Sequence, residues 1–153
     1  MNKFFIFLFA AVAFIVTCKN VSDKTVQVQN QNTLQKDKEK GKKYPEMQFD
    51  TMQWYFGSIK EGEIAEHDFH FKNVGDGVLI INDVKPSCGC TSPEWPKEPI
   101  APGEEGVIKV KFNSKNHVGK NDKSVTIQSN PCTVKGTNKI SNETYLGIHV
   151  EVH

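Results

Sequence analysis

Two cysteines one residue apart, Cys88 and Cys90, lie in the stretch Val84-Lys85-Pro86-Ser87-Cys88-Gly89-Cys90-Thr91-Ser92-Pro93-Glu94-Trp95. Residues i and i+2 of an extended chain face the same side, so both sulfurs can address one point. Three chemistries fit such a pair. The first is redox. An ideal strand sets the two Cα atoms about 6.6 Å apart, near the upper limit for a bridge. Gly89 can bend and bring them closer. A ring that small is strained, and strained bridges tend to be oxidising and labile. A thioredoxin-like enzyme, however, presents Cys-x-x-Cys at a helix start, and the chain has no such element. The second chemistry is metal binding. Two thiolates suit a soft ion such as Cu(I). Tetrahedral zinc needs two further ligands, with Cys132, His67, His70 and His117 available and no spacing that selects among them. The third is a rigid corner. Pro86 and Pro93 fix φ on either side and Trp95 packs over the loop. The cysteines then pair with each other, or one pairs with Cys132, and the longer loop gains more from closure. The corner is the favoured expectation, with soft-metal binding or thiol redox through Cys88 and Cys90 as its rival.

Other catalytic patterns are absent. There is no Gly-x-Ser-x-Gly, no phosphate-cradling glycine loop and no His-Glu-x-x-His. The pairs Glu61/Glu63 and Glu104/Glu105 fall in turns, where solvation accounts for them. Neither an enzyme nor a bound cofactor is expected.

The elements that must position these residues are strands. From Tyr44 onward apolar residues alternate with period two, and turn residues recur about every ten positions, the mark of an all-β sandwich or barrel. Met47-Gln48-Phe49 and Trp54–Ile59 read as strands, the second closed by a turn over Lys60-Glu61-Gly62-Glu63. In Ile64–Lys72, Ala65, His67, Phe69 and Phe71 share one face, which makes His67 a core histidine bonded to a neighbouring carbonyl. His70 falls on the solvated face. Asn73–Gly77 reads as a hairpin with glycines available for positive φ, leading into a strand over 78–84 with Leu79, Ile81 and Val84 in the core. Beyond the Cys-Gly-Cys segment, Gly106–Phe112 alternates with Ile108, Val110 and Phe112 inward. Residues 113–121 read as a polar loop. A strand through Val125 and Ile127 is expected to end at Ser129-Asn130-Pro131, with a loop over 132–141. A closing strand then carries Leu146, Ile148, Val150 and Val152. Seven or eight strands and no helix predict an immunoglobulin-like two-sheet sandwich over residues 44–153.

The amino-terminal part predicts an address. After Met1-Asn2-Lys3 come thirteen apolar residues, Phe4 to Val16. A membrane-spanning helix needs about 20, whereas a signal peptide has an apolar run of this length. The following Ile15-Val16-Thr17-Cys18 resembles a lipobox, so residues 1–17 are expected to be removed and Cys18 lipidated. Residues 18–43 are polar and aperiodic, the composition of a flexible tether. Without residues 1–17 the chain carries 18 lysines against 18 acidic residues, the 19 basic residues less Lys3, and there is no arginine. That balance argues against nucleic-acid binding. The expected setting is the outer membrane, on its periplasmic side or at the cell surface.

Taken together, Phe56-Gly57-Ser58-Ile59, Glu61-Gly62, His67-Asp68-Phe69-His70-Phe71-Lys72-Asn73, Gly75, Ser87-Cys88-Gly89-Cys90-Thr91, Trp95, Pro102-Gly103 and Ser129-Asn130 resemble, in order and spacing, the exported bacterial proteins grouped as domain-of-unknown-function family fifteen-seventy-three. The resemblance covers about residues 47–152. It implies an immunoglobulin-like sandwich, often borne on a lipoprotein, and no particular reaction. Pro131–Lys139 departs from that pattern, which makes Cys132 a feature of this chain. A lipid-anchored binding or scaffolding module with a protein or peptide partner is the expected function. The loop at 85–96 is the expected contact surface, with Trp95 as anchor flanked by Pro86 and Pro93.

Overall fold

Short runs of alternating apolar and polar residues, punctuated by Gly and Pro, fold as eight strands with no helix among the described residues. The computed structural model describes residues 42–153, and Lys43–His153 forms one folded unit. The expected signal segment, Cys18 and nearly all of the tether lie outside the described residues.

The strands are β1 (Glu46–Phe49), β2 (Gln53–Ile59), β3 (Ile64–Asn73), β4 (Ile81–Pro86), β5 (Thr91–Glu94), β6 (Glu105–Asn113), β7 (Gly119–Val134) and β8 (Ser141–Val152). One sheet runs β1-β3-β6-β5 and the other β2-β8-β7-β4. The chain changes sheets between β1 and β2, so the first strand is divided between the layers. β2 then lies parallel to β8. This is the immunoglobulin-like arrangement. The far end of β7 crosses back, and Thr133 and Val134 pair in parallel with Glu46 and Met47.

The core fills the space between the sheets. Phe69 and Phe71 from β3, Ile108, Val110 and Phe112 from β6, Val125 and Ile127 from β7, and Leu146, Ile148, Val150 and Val152 from β8 are all buried. Each such side chain contributes roughly 1.5–3 kcal/mol when fully removed from water. On the outer face Asp68 and Glu66 sit 3.7 Å from Lys109 and Lys111. Exposed pairs of this kind contribute at most about 1 kcal/mol; the apolar inner face is what fixes the register.

Several local expectations are corrected. Residues 73–77 are not a hairpin, because β3 and β4 belong to different sheets. Gly75 and Gly77 do not take positive φ. They are glycines because the chain at residues 43–46 packs against them: a Cβ on Gly77 would lie 2.6 Å from the Lys43 carbonyl oxygen, and one on Gly75 would overlap the Glu46 backbone. Buried Asn73 organises this crossing. Its Oδ1 accepts from Glu46 N and Gly75 N, each at 3.2 Å. Its Nδ2 donates to Gly77 O at 2.8 Å and Ile100 O at 3.0 Å. The strand read at 78–84 begins at Ile81, with Leu79 held by a bridge to Ile100. β7 starts within the expected 113–121 loop and runs through Asn130-Pro131 to Val134, with its pairing to β8 interrupted between Gln128 and Cys132. The short strand β5 was not legible in the pattern.

Candidate functional site

The Cys-Gly-Cys segment is the crossover from β4, in one sheet, to β5, in the other. Cys88 and Cys90 are joined by a disulfide, with Cα atoms 5.2 Å apart. A bridged sulfur is not a thiolate donor, so in this state the pair offers no soft-metal ligand. The backbone around the ring is bonded independently of it. Ser87 N donates to Ser124 O at 2.8 Å and Ser124 N donates to Ser87 Oγ at 3.0 Å. Asn113 N donates to Cys90 O at 2.9 Å. The buried Thr91 places Oγ1 3.4 Å from Cys88 Sγ and 3.9 Å from Cys90 Sγ. Beside Cys90 an open recess of about 290 Å³ is lined by Gly89, Asn113, Lys115, Asn116 and His117.

Of the other expected chemical residues, the fold brings only His117 to this place. Cys132 is a free, buried thiol on β7, eight residues beyond Ser124, a path of about 26 Å along the chain at strand spacing. Its Sγ lies 3.3 Å from Ser129 Oγ. Burial pushes the thiol above its ordinary pKa, with the Ser129 and Thr144 hydroxyls pulling the other way. His70 is exposed on the outer face. His67 faces inward but does not make the expected carbonyl bond: its Nε2 is buried without a partner. Instead its ring stacks on Trp54 at 3.9 Å and meets Phe69 edge-on at 4.6 Å. Desolvation lowers its pKa, opposed by Asp68 and aided by His70. Among the described residues no three His, Cys, Asp or Glu side chains gather as a metal cluster.

The expected contact residues, Trp95, Pro86 and Pro93, are each half-buried. Trp95 is half-buried against the core, with Lys97 Nζ 3.0 Å above its ring. Pro86 and Pro93 lie within β4 and β5, which are the outermost strands of the two sheets. Proline there removes a donor from a free edge and discourages pairing with other chains.

The exposed aromatic surface lies elsewhere, on β2. Trp54 is 39% and Tyr55 70% exposed. In register with β8, Trp54 stands beside the inward Ile148 and Tyr55 beside the outward His149. The two rings therefore flank opposite sides of the same strand. His149 anchors the outward side. Its ring stacks on Tyr55 at 4.4 Å, its Nδ1–H donates to Asp122, and its Nε2 meets the Gln53 side-chain amide at 2.9 Å. Gly147 leaves room for the Gln53 side chain, which a Cβ there would overlap. A shallow recess of about 440 Å³ adjoins Tyr55, Gly57, Ser58, Lys120, Asp122 and His149. At Gly57 a register shift and φ of 74° kink the strand. The sequence did hold a signal for this surface. Trp54-Tyr55-Phe56 puts three aromatics in a row, and a two-faced strand cannot turn all three inward.

Residues 47–144 match the family described as Protein of unknown function (DUF1573). The match stops short of the 152 expected from the sequence motifs. No curated protein matches. Among solved structures, a protein of unknown function from Porphyromonas gingivalis W83 is 14% identical with a TM-score of 0.58, over 71% of this chain and 47% of that one. The Vibrio cholerae VesB protease is 12% identical with a TM-score of 0.51, over 79% of this chain and 34% of that one. The chain thus spans about half, or less, of these structures, and the likeness is one of fold.

Proposed function

This chain belongs to the DUF1573 family of proteins of unknown function, and from that premise we propose that it is a lipid-anchored, non-catalytic binding module of the cell envelope. Its partner is an extended, largely uncharged peptide segment of another envelope protein, added to the free edge of β2. Cys18 carries the lipid and the polar segment to residue 43 is the tether.

One observation carries the binding reading: the contrast between the sheet edges. β4 contains Lys85 and Pro86, and β5 is four residues long with Pro93 inside it. Both are blunted in the way natural sheets avoid foreign strands. β2 is seven residues long, contains neither proline nor a charged residue, and pairs only with β8 among the described residues, its one interruption being the kink at Gly57. Trp54 and Tyr55 stand on either side of its open edge. An incoming strand would gain main-chain hydrogen bonds along that edge, and its alternate side chains would meet the two rings. Aromatic side chains are enriched where such contacts carry binding energy.

A photo-crosslinking residue at Ser58, next to the edge, tests this in cells expressing the full chain. A discrete adduct is expected from position 58, lost when Tyr55→Lys places a charge on the edge, and absent from the same probe at Glu94. An adduct from Glu94 alone would overturn the assignment to β2. Metabolic labelling with a fatty acid tests the anchor, and label retained by Cys18→Ser would refute it.

A further inference from the structure

The Cys88–Cys90 bond spans a sequence separation of two. Closing so short a loop removes little freedom from the unfolded chain. The folded crossover is already held by Ser87 against Ser124, by Cys90 O against Asn113 N, and by the short strand β5. The bridge is thus a weak staple at a place that does not need one.

Its surroundings suit chemistry instead. Cys90 is half-buried against the core and also lines the recess that Lys115 and His117 border. The buried Thr91 hydroxyl sits 3.4 Å from Cys88 Sγ. A hydroxyl that can donate, and a cation nearby, both favour a thiolate over a thiol. A stabilised thiolate is also a better leaving group in disulfide exchange.

We propose that Cys88–Cys90 is a thiol–disulfide exchange site that accepts electrons from a small anionic thiol entering through the recess at Cys90. The small thiolate attacks Cys90 Sγ. The Cys88–Cys90 bond breaks, a mixed disulfide forms on Cys90, and Cys88 leaves as a thiolate that accepts a hydrogen bond from Thr91 and then a proton from solvent. A second small thiolate attacks the small-molecule sulfur of the mixed disulfide. Cys90 departs as a thiolate at the recess that Lys115 also lines and is protonated in turn. Two small thiols become one disulfide, and two electrons and two protons end on Cys88 and Cys90. The crossover stays bonded to β6 and β7 throughout. This site is independent of the β2 edge and stands or falls separately.

The test uses the full chain in detergent, with glutathione as the probe and maleimide mass-tagging to count and map thiols. The reference is the oxidised synthetic peptide spanning Pro86 to Pro93. The bridge in the protein is expected to open about tenfold faster than in the peptide, because the leaving thiolate is stabilised by its neighbours. The trapped mixed disulfide should map to Cys90, Lys115→Gln should slow its formation about threefold, and the β-sheet circular dichroism should not change. Opening no faster than in the peptide, a mixed disulfide on Cys88, or loss of sheet signal on opening would each overturn the proposal. The comparison of wild-type chain with peptide needs no variant to fold.

Discussion

Asn73 offers the sharpest quantitative check on the fold that presents these surfaces. Its amide is buried and makes four hydrogen bonds that join β1, the β3–β4 crossing and the segment at Ile100. Asn73→Ala removes all four. Ile100 O keeps its bond from Leu79 N, so three groups lose this partner: Glu46 N, Gly75 N and Gly77 O. A buried donor or acceptor left unpaired costs about 1–3 kcal/mol. The two amides are only partly buried and belong at the low end, giving a loss of about 3 kcal/mol. With a slope of about 1–3 kcal/mol per molar urea, the unfolding midpoint should fall by roughly 1–3 M. Asn73→Asp should be worse than Asn73→Ala at neutral pH. One carboxylate oxygen can still accept from the amides, but the other would face the carbonyls of Gly77 and Ile100, and the charge is buried. Urea unfolding followed by tryptophan fluorescence measures all three proteins. A loss below about 0.5 kcal/mol for the alanine variant, or an aspartate variant as stable as wild type, would refute the reasoning.

The remaining predictions concern titratable groups and thiols. Because desolvation lowers the His67 pKa, the unfolded chain binds a proton at this residue before the folded chain does. Its effect on stability is thus nil above the ordinary imidazole pKa, about 6.5, and becomes a loss as pH falls below that value toward the folded pKa. His67→Phe should flatten the acid side of a stability-against-pH curve, and a wild-type-shaped curve would refute this. Cys132, buried with its thiol pushed up, should resist maleimide in the native chain and react on unfolding in urea. Equal labelling in both states would contradict its place in the core. The double variant Cys88→Ser/Cys90→Ser should lose no more than about 1.6 kcal/mol, the chain-entropy value for a three-residue loop. A much larger loss in urea unfolding would make the bridge a staple.

The sheet alternation was legible because half of each strand is buried. The inward rows Ile108-Val110-Phe112 and Leu146-Ile148-Val150-Val152 hold position by position. What failed was information not carried by local period. Asn73–Gly77 has hairpin residues, yet it joins strands of different sheets, and its glycines answer a chain segment some thirty residues earlier. β5 escaped notice because four residues containing Pro93 carry no alternation, and its pairing with β6 supplies the order. Trp95 stood out as the tryptophan nearest the cysteines, but the fold turns it half into the core, while Tyr55 stands outside and Trp54, stacked on His67, keeps part of its ring exposed at the sheet edge. Exposure depends on which strand ends a sheet, and that is a tertiary fact.

Backbone hydrogen exchange at β2 tests the central claim most directly. Amides of Gln53–Ile59 that face the free edge should exchange quickly in the purified full chain and be strongly protected when the protein is labelled in native membranes and then extracted. Protection there, with β4 and β5 unchanged between the two preparations, is the result that strand addition at this edge predicts. Equal exchange at β2 in both preparations would contradict it.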